Sequence, residues 1–148
     1  MRLLLDTHIV LWTLDDSPRL SRQAREIMTA PGTECFVSAV SFWEIAIKAN
    51  LRRSEFRVDV GRLVAGARAA GLKLLAFQPE HAVRVARLPA HHSDPFDRAL
   101  VAQALTEPLT LLTQRRITQC SPPLLMPLGW QFVRPISSQG GLPLGQSH

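Results

Sequence analysis

Apolar residues fall along this chain in two alternating kinds of block, short unbroken runs and longer stretches with helical spacing. "RLLL" (2–5) is a run of the first kind and suits a strand buried on both faces. Thr7 and His8 lead into "IVLWTLDD", where Ile9, Val10, Trp12 and Leu14 suit a short helix, and "DDSPRLS" reads as a turn. "RLSRQAREIMTA" then sets Leu20, Ala24, Ile27 and Met28 on one stripe with arginines opposite, and "PGTE" closes it. "CFVSA" (35–39) repeats the buried-strand pattern, followed by a helix in "VSFWEIAIKANLRR" that carries Trp43, Ile47 and Leu51.

The same alternation continues downstream. Residues 59–70 form an amphipathic helix stopped by Gly71, and "LKLLAF" is a short strand or an extended connector. "QPEHAVRVARLP" is a helix with Pro79 near its start and Pro89 at its end. "DPFDRALVAQALTE" is another, ahead of the apolar strand "PLTLLT" (108–113). Strands alternating with helices mean βα units, hence an α/β fold with a mainly parallel sheet covered on both faces. Beyond Gln114 the pattern loosens: "WQFV" (130–133) offers one last strand, and "ISSQGGLPLGQSH" reads as a flexible tail.

Composition narrows the class. At 148 residues the chain fits one domain with its own core, and its 46% hydrophobic content is ordinary for a globular protein. No apolar run approaches the ~20 residues of a membrane span, and no signal peptide is visible, so a cytoplasmic protein is expected. Cys35 and Cys120 lack any metal-ligand spacing and read as reduced thiols. The net charge of +5 rests on 15 Arg and 2 Lys against 12 acids, a balance that favours a polyanionic partner.

Against that basic background, a few acids sit where chemistry is expected. Ligands of parallel α/β sheets bind beyond the carboxyl ends of the strands. Asp6 follows the first strand, and Glu44 lies early in the helix after the second. Asp94 and Asp97 begin the helix that leads into the strand at 108–113; if it packs beside the first strand, its start reaches the same cleft. Carboxylates gathered there repel each other, and a hard divalent cation such as Mg²⁺ or Mn²⁺ relieves that repulsion through oxygen ligands. Each acid also has a structural reading. Asp6 can cap the helix after it, and Glu44 stands three residues beyond Ser41, at capping-box spacing. "DPFD" is a helix start in itself, with Asp94 as N-cap, Pro95 at N1 and Asp97 at N3. His8, His91 and His92 have no metal-ligand spacing, Ser38 and Ser41 lack nucleophile-elbow glycines, and no glycine-rich phosphate loop occurs.

"LLLDTHIVLW", "VSAVSFWEIAIK", "HHSDPFDRALVAQAL" and "LTLLT", in this order and spacing, resemble PIN-domain proteins, and most of all the VapC-type toxins of toxin–antitoxin pairs. The resemblance runs from residue 1 to about 118, leaving 119–148 as a divergent segment. It implies a three-layer α/β/α sandwich acting as a metal-dependent endoribonuclease on RNA. It also implies a cognate antitoxin that blocks the acidic cleft, and a homodimer, as is common among similar toxins. The family acids fall on Asp6, Glu44 and Asp97, with Mg²⁺ or Mn²⁺ as their ion; Asp94 is an additional acid. Thr7 and Thr113 match polar positions near the site, and Arg98 is a candidate phosphate or antitoxin contact. One departure stands out. The family's T-x-D after the fourth strand is replaced by Thr113, Gln114 and Arg115, and no acid follows Glu107. A catalytically weakened PIN domain that binds antitoxin or RNA without efficient cleavage is therefore the competing expectation.

Overall fold

The computed structural model describes residues 1–51, 58–89, 94–114 and the strand 131–133. In chain order the elements are β1 (Arg2–Leu5), α1 (Thr7–Leu14), α2 (Arg22–Thr29), β2 (Glu34–Ser38), α3 (Ala39–Leu51), α4 (Val60–Ala69), β3 (Lys73–Leu75), α5 (Pro79–Ala86), α6 (Pro95–Thr106), β4 (Thr110–Thr113) and β5 (Gln131–Val133). The strands lie in the order β3-β2-β1-β4-β5. β1 pairs in parallel with β2 and β4, β2 in parallel with β3, and β5 closes the edge antiparallel to β4. The α/β fold with a mainly parallel sheet is thus as expected. The stretch 72–77, left open between strand and connector, contributes a three-residue strand. The sequence at 115–130 and 134–148, which holds Cys120, the boundary near 118 and the polar tail, lies outside the described residues, as do His91 and His92.

The leucine run explains the layering. Successive strand side chains point to opposite faces, and Leu3, Leu4 and Leu5 are all fully buried. Leu3 and Leu5 join Ile9, Val10, Leu20, Ala24, Val37 and Phe42 in one core. Leu4 joins Leu100, Val101, Ala104, Leu109 and Leu111 in the other. An alternation that would leave one face polar in an antiparallel sheet is absent because helices cover both sides. Each of these leucines contributes roughly 1.5–3 kcal/mol by leaving water.

The winding of the sheet fixes where a cleft can form. From β1 the chain moves to β2 and β3 on one side, then returns to place β4 on the other. The reversal makes the carboxyl edge between β1 and β4 a switch point, where flanking helices diverge and leave room for a ligand. Polar side chains gather along that edge. Asp6 ends β1, Ser38 ends β2 and Thr113 ends β4, each at most 5% exposed.

A buried amide ties this edge to α6. Gln103 is fully buried; its Oε1 accepts from the Ser38 hydroxyl at 2.5 Å and its Nε2 donates to the Ala76 carbonyl at 3.1 Å. Ser38 Oγ in turn accepts from the Val40 amide at 3.0 Å, at the start of α3. Gln103→Leu keeps the volume but leaves the Ser38 hydroxyl proton without its acceptor and the Ala76 carbonyl without the Gln103 donor. Urea unfolding should show a loss of about 2 kcal/mol; a loss near zero would mean that the network contributes no net stability.

Candidate active site

Two consecutive residues organise the site. The register that pairs Leu5 with Leu112 brings Asp6 beside Thr113, and the Asp6 amide donates to the Leu112 carbonyl at 3.0 Å. Oδ2 of Asp6 accepts from the Thr113 hydroxyl at 2.5 Å. Oδ1 accepts from the His8 amide at 3.1 Å, which makes Asp6 the N-cap of α1. The cap and the site position suggested by the sequence therefore coexist on the two oxygens of one carboxylate. Burial acts to raise the Asp6 carboxyl, but hydrogen bonds from His8 and Thr113, with the nearby imidazole, outweigh it and hold it below its ordinary value.

Thr7 reaches the other way. Its hydroxyl donates to Glu44 Oε2 at 2.6 Å. Glu44 is 2% exposed, and its second oxygen, Oε1, is paired with Lys48 Nζ one turn further along α3. The capping box suggested by the Ser41–Glu44 spacing does not form. α3 starts at Ala39, directly after β2, so Ser41 is already inside the first turn rather than at the cap. Its hydroxyl is buried and has no hydrogen-bond partner among the described residues. Ser41, Glu44 and Lys48 fall at i, i+3 and i+7, on one face of the helix.

The third acid arrives on α6. Asp94 Oδ1 accepts from the amides of Phe96 at 2.9 Å and Asp97 at 3.4 Å, capping the helix as the "DPFD" pattern indicates. Phe96 meets Trp43 edge to face at 5.1 Å, which seats the start of α6 against α3. Since Trp43 precedes Glu44 and Phe96 precedes Asp97, that contact sets the two acids on adjoining helix turns. Asp97 is partly buried. Among the described residues, no three His, Cys, Asp or Glu side chains stand close enough to hold one ion. The closest linkage is between Asp6 and Glu44, through Thr7.

Arg98 lies next to Asp97 but serves α5. Its guanidinium donates to the carbonyls of Val85, Leu88 and Pro89 at 3.0, 3.2 and 2.7 Å. Val85 lies in the last turn of α5, where its carbonyl also accepts from the Leu88 amide, and Leu88 and Pro89 lie just beyond the helix. All three acceptors are backbone groups of the neighbouring helix end, so Arg98 has a structural role beside the phosphate or antitoxin contact expected from the sequence. Lys48 is a site residue that sequence reading passed over, although its i,i+4 spacing from Glu44 is the signal for such a pair. Gln114, where the family pattern expects an acid to follow, is exposed.

The partners of Asp6 set a pH dependence. A carboxyl depressed in the folded state stabilises the fold above its unfolded pKa, and that stability is lost as pH falls through the folded value. Thr113→Val removes one hydrogen bond to the ionised form, at a cost of about 1–2 kcal/mol at neutral pH. In urea unfolding across a pH series, the gap to wild type should narrow as Asp6 protonates. A gap independent of pH would show that Thr113 acts through packing alone.

The profile of the PIN domain family matches residues 3–115. By sequence, no curated protein matches the chain. Several solved structures share the fold, among them the following three. VapBC2 from Rickettsia felis, bound to a DNA fragment from its promoter, superposes with a TM-score of 0.57 at 15% identity, covering 78% of this chain and 89% of that one. A toxin–antitoxin complex from Klebsiella pneumoniae gives 0.52 at 19% identity, covering 78% and 88%. DNA-bound VapBC from Salmonella typhimurium gives 0.51 at 18%, covering 74% and 83%. Among the described residues no helix is long and apolar enough to cross a membrane. The family profile spans the parallel strands and the acids at their carboxyl edge, and on that match the chain belongs to the PIN domain family.

Proposed function

We propose that the chain is a VapC-type toxin, a cytoplasmic endoribonuclease that hydrolyses RNA phosphodiesters with Mg²⁺ or Mn²⁺ and is restrained by a cognate antitoxin. The observation that carries this reading is the pair of buried carboxylates, Asp6 and Glu44, coupled through Thr7 at the switch point of the PIN fold. The toxin–antitoxin complexes among the structures that share the fold support the antitoxin partner. A homodimer is part of the same proposal.

The donor chemistry suits a hard divalent cation, since Asp6, Glu44 and Asp97 all offer oxygen, which Mg²⁺ and Mn²⁺ prefer over nitrogen or sulfur. In the described arrangement the three do not yet converge on one point, so holding an ion together would require their side chains to close on it. The Ser41 hydroxyl, buried and unpartnered on the Glu44 face of α3, is a further oxygen with bonding capacity to spare. A chain of net charge +5 attracts RNA as a whole, yet its cleft carboxylates repel each phosphate that enters. When bound, such a cation supplies the missing positive charge and lowers the pKa of an attacking water. The chain's own part is to hold the carboxylates ready. Thr113 fixes Asp6 through Oδ2, Thr7 fixes Glu44 through Oε2, and the Asp94 cap orients the turn that carries Asp97.

Cleavage of RNA by the full chain, with and without EDTA, tests this reading. Wild type should cut in Mg²⁺ or Mn²⁺, and Asp6→Asn should lose about 100-fold or more. Equal, negligible cleavage by both proteins would remove the nuclease assignment.

A second reading has its own observation: after Thr113 and Gln114 the chain carries Arg115 where the T-x-D pattern has an acid. On that reading the domain binds antitoxin or RNA and cuts poorly. Gln114→Asp and Arg115→Asp should each be assayed beside wild type. Faster cleavage by either would trace the weakness to the lost acid, and no gain from both would discard that explanation.

A further inference from the structure

Glu44 presents an electrostatic problem that the chain has solved internally. A carboxylate 2% exposed is costly to keep ionised without a counter-charge. Thr7 supplies a hydroxyl, and among the described residues a full positive charge comes from the Lys48 ammonium, on Oε1. The lysine is not itself buried. Its side chain is 48% exposed and reaches in from the rim on a flexible stem, so it can exchange its carboxylate for water without disturbing the core.

Asp6, by contrast, has no lysine or arginine on it among the described residues; its partners there are Thr113 and His8. The two central acids are thus treated unequally, with Glu44 neutralised from within and Asp6 held by hydrogen bonds. The Ser41 hydroxyl, one turn before Glu44 on the same face, has no partner among the described residues.

From this arrangement, and resting on the metal-site reading above, we infer that Lys48 is a built-in stand-in for the divalent cation: its ammonium occupies Glu44 until a metal ion displaces it. Lys48 thereby sets the threshold of metal concentration at which the site fills, because only the fraction of molecules with the ion pair open is competent to bind. Apparent affinity falls by that same fraction. The displaced ammonium stays tethered at the cleft mouth, where its charge is available to a phosphate.

The chain carries only two lysines, which makes the inference directly readable. Lys73 pairs with Glu34 near the amino ends of β3 and β2, at the edge of the sheet opposite the site, and serves as an internal reference. Wild-type protein is treated with an amine-acetylating reagent with and without Mn²⁺, and modification is read by mass spectrometry. Mn²⁺ binding is measured in parallel by calorimetry on wild type, Lys48→Met, Lys48→Gln and Lys73→Met. Lys48 acetylation should rise roughly threefold or more relative to Lys73 when Mn²⁺ binds, as the half-exposed ion pair opens. Both Lys48 variants should bind Mn²⁺ roughly tenfold more tightly if the pair is closed about nine-tenths of the time, while Lys73→Met should match wild type. Mn²⁺ binding with unchanged Lys48 acetylation and equal affinities would overturn the stand-in role and leave the metal site intact. No Mn²⁺ binding to any of these proteins, with no RNA cleavage, would overturn both. The acetylation arm uses wild-type protein, so it decides the matter even if the lysine variants fold poorly.

Discussion

Keeping two ionised carboxylates out of water at the end of a parallel sheet is the constraint on which the rest of the site depends. A buried carboxylate without partners costs several kcal/mol or else takes up a proton and loses its use. This chain meets the constraint with one dipeptide. Asp6 turns towards β4 and accepts from Thr113, while Thr7 turns towards α3 and donates to Glu44. Because the two residues are adjacent, β1, α3 and β4 cannot shift independently without breaking a bond to a buried charge. The leucines ahead of them supply the rigidity: with both faces of β1 covered, the strand end has little freedom to follow a poorly placed side chain.

The fold was legible because its dominant signal is local. Three consecutive buried leucines and helical stripes of period 3.6 each state their burial pattern within a few residues. The "DPFD" helix start likewise specifies its own cap, and the structure has Asp94 in that position. Where the local signal thins, so does legibility. β3 holds only Lys73, Leu74 and Leu75, of which none is fully buried, so its apolar content cannot separate a strand from a connector.

The site was legible in part, for the same reason. Asp6 read as either a cap or a ligand position because each use needs only one oxygen, and sequence cannot show that the two oxygens face different ways. Ser41 and Glu44 matched a capping box by spacing, yet the box requires Ser41 at the first non-helical position. α3 begins two residues earlier because β2 runs into it without a loop. The structural role of Arg98 could not be read at all. Its acceptors are carbonyls at 85, 88 and 89, and only the packing of α5 against α6 brings them into reach. A charged residue beside a candidate acid invites a functional reading, but helix ends create a demand for donors that a sequence does not display.

The unequal treatment of Asp6 and Glu44 follows from where each acid sits. Asp6 lies at a strand end and a helix start, where backbone amides and a neighbouring strand's hydroxyl are available as donors. Glu44 lies inside a helix whose own amides are already committed, so backbone groups cannot serve it and side chains must. A threonine hydroxyl satisfies one oxygen but leaves the charge in place, and on a helix the positions that can bring a cation to the other are i±3 and i±4. Position 48 is the one that carries a lysine. Its stem lets the ammonium pair with Glu44 while half of the side chain stays in water, so the counter-charge is itself only partly desolvated. A buried arginine would neutralise Glu44 more permanently through its two-pronged geometry. A lysine at the rim neutralises it reversibly, which is what a carboxylate needs if it is both to survive burial and to remain open to another cation.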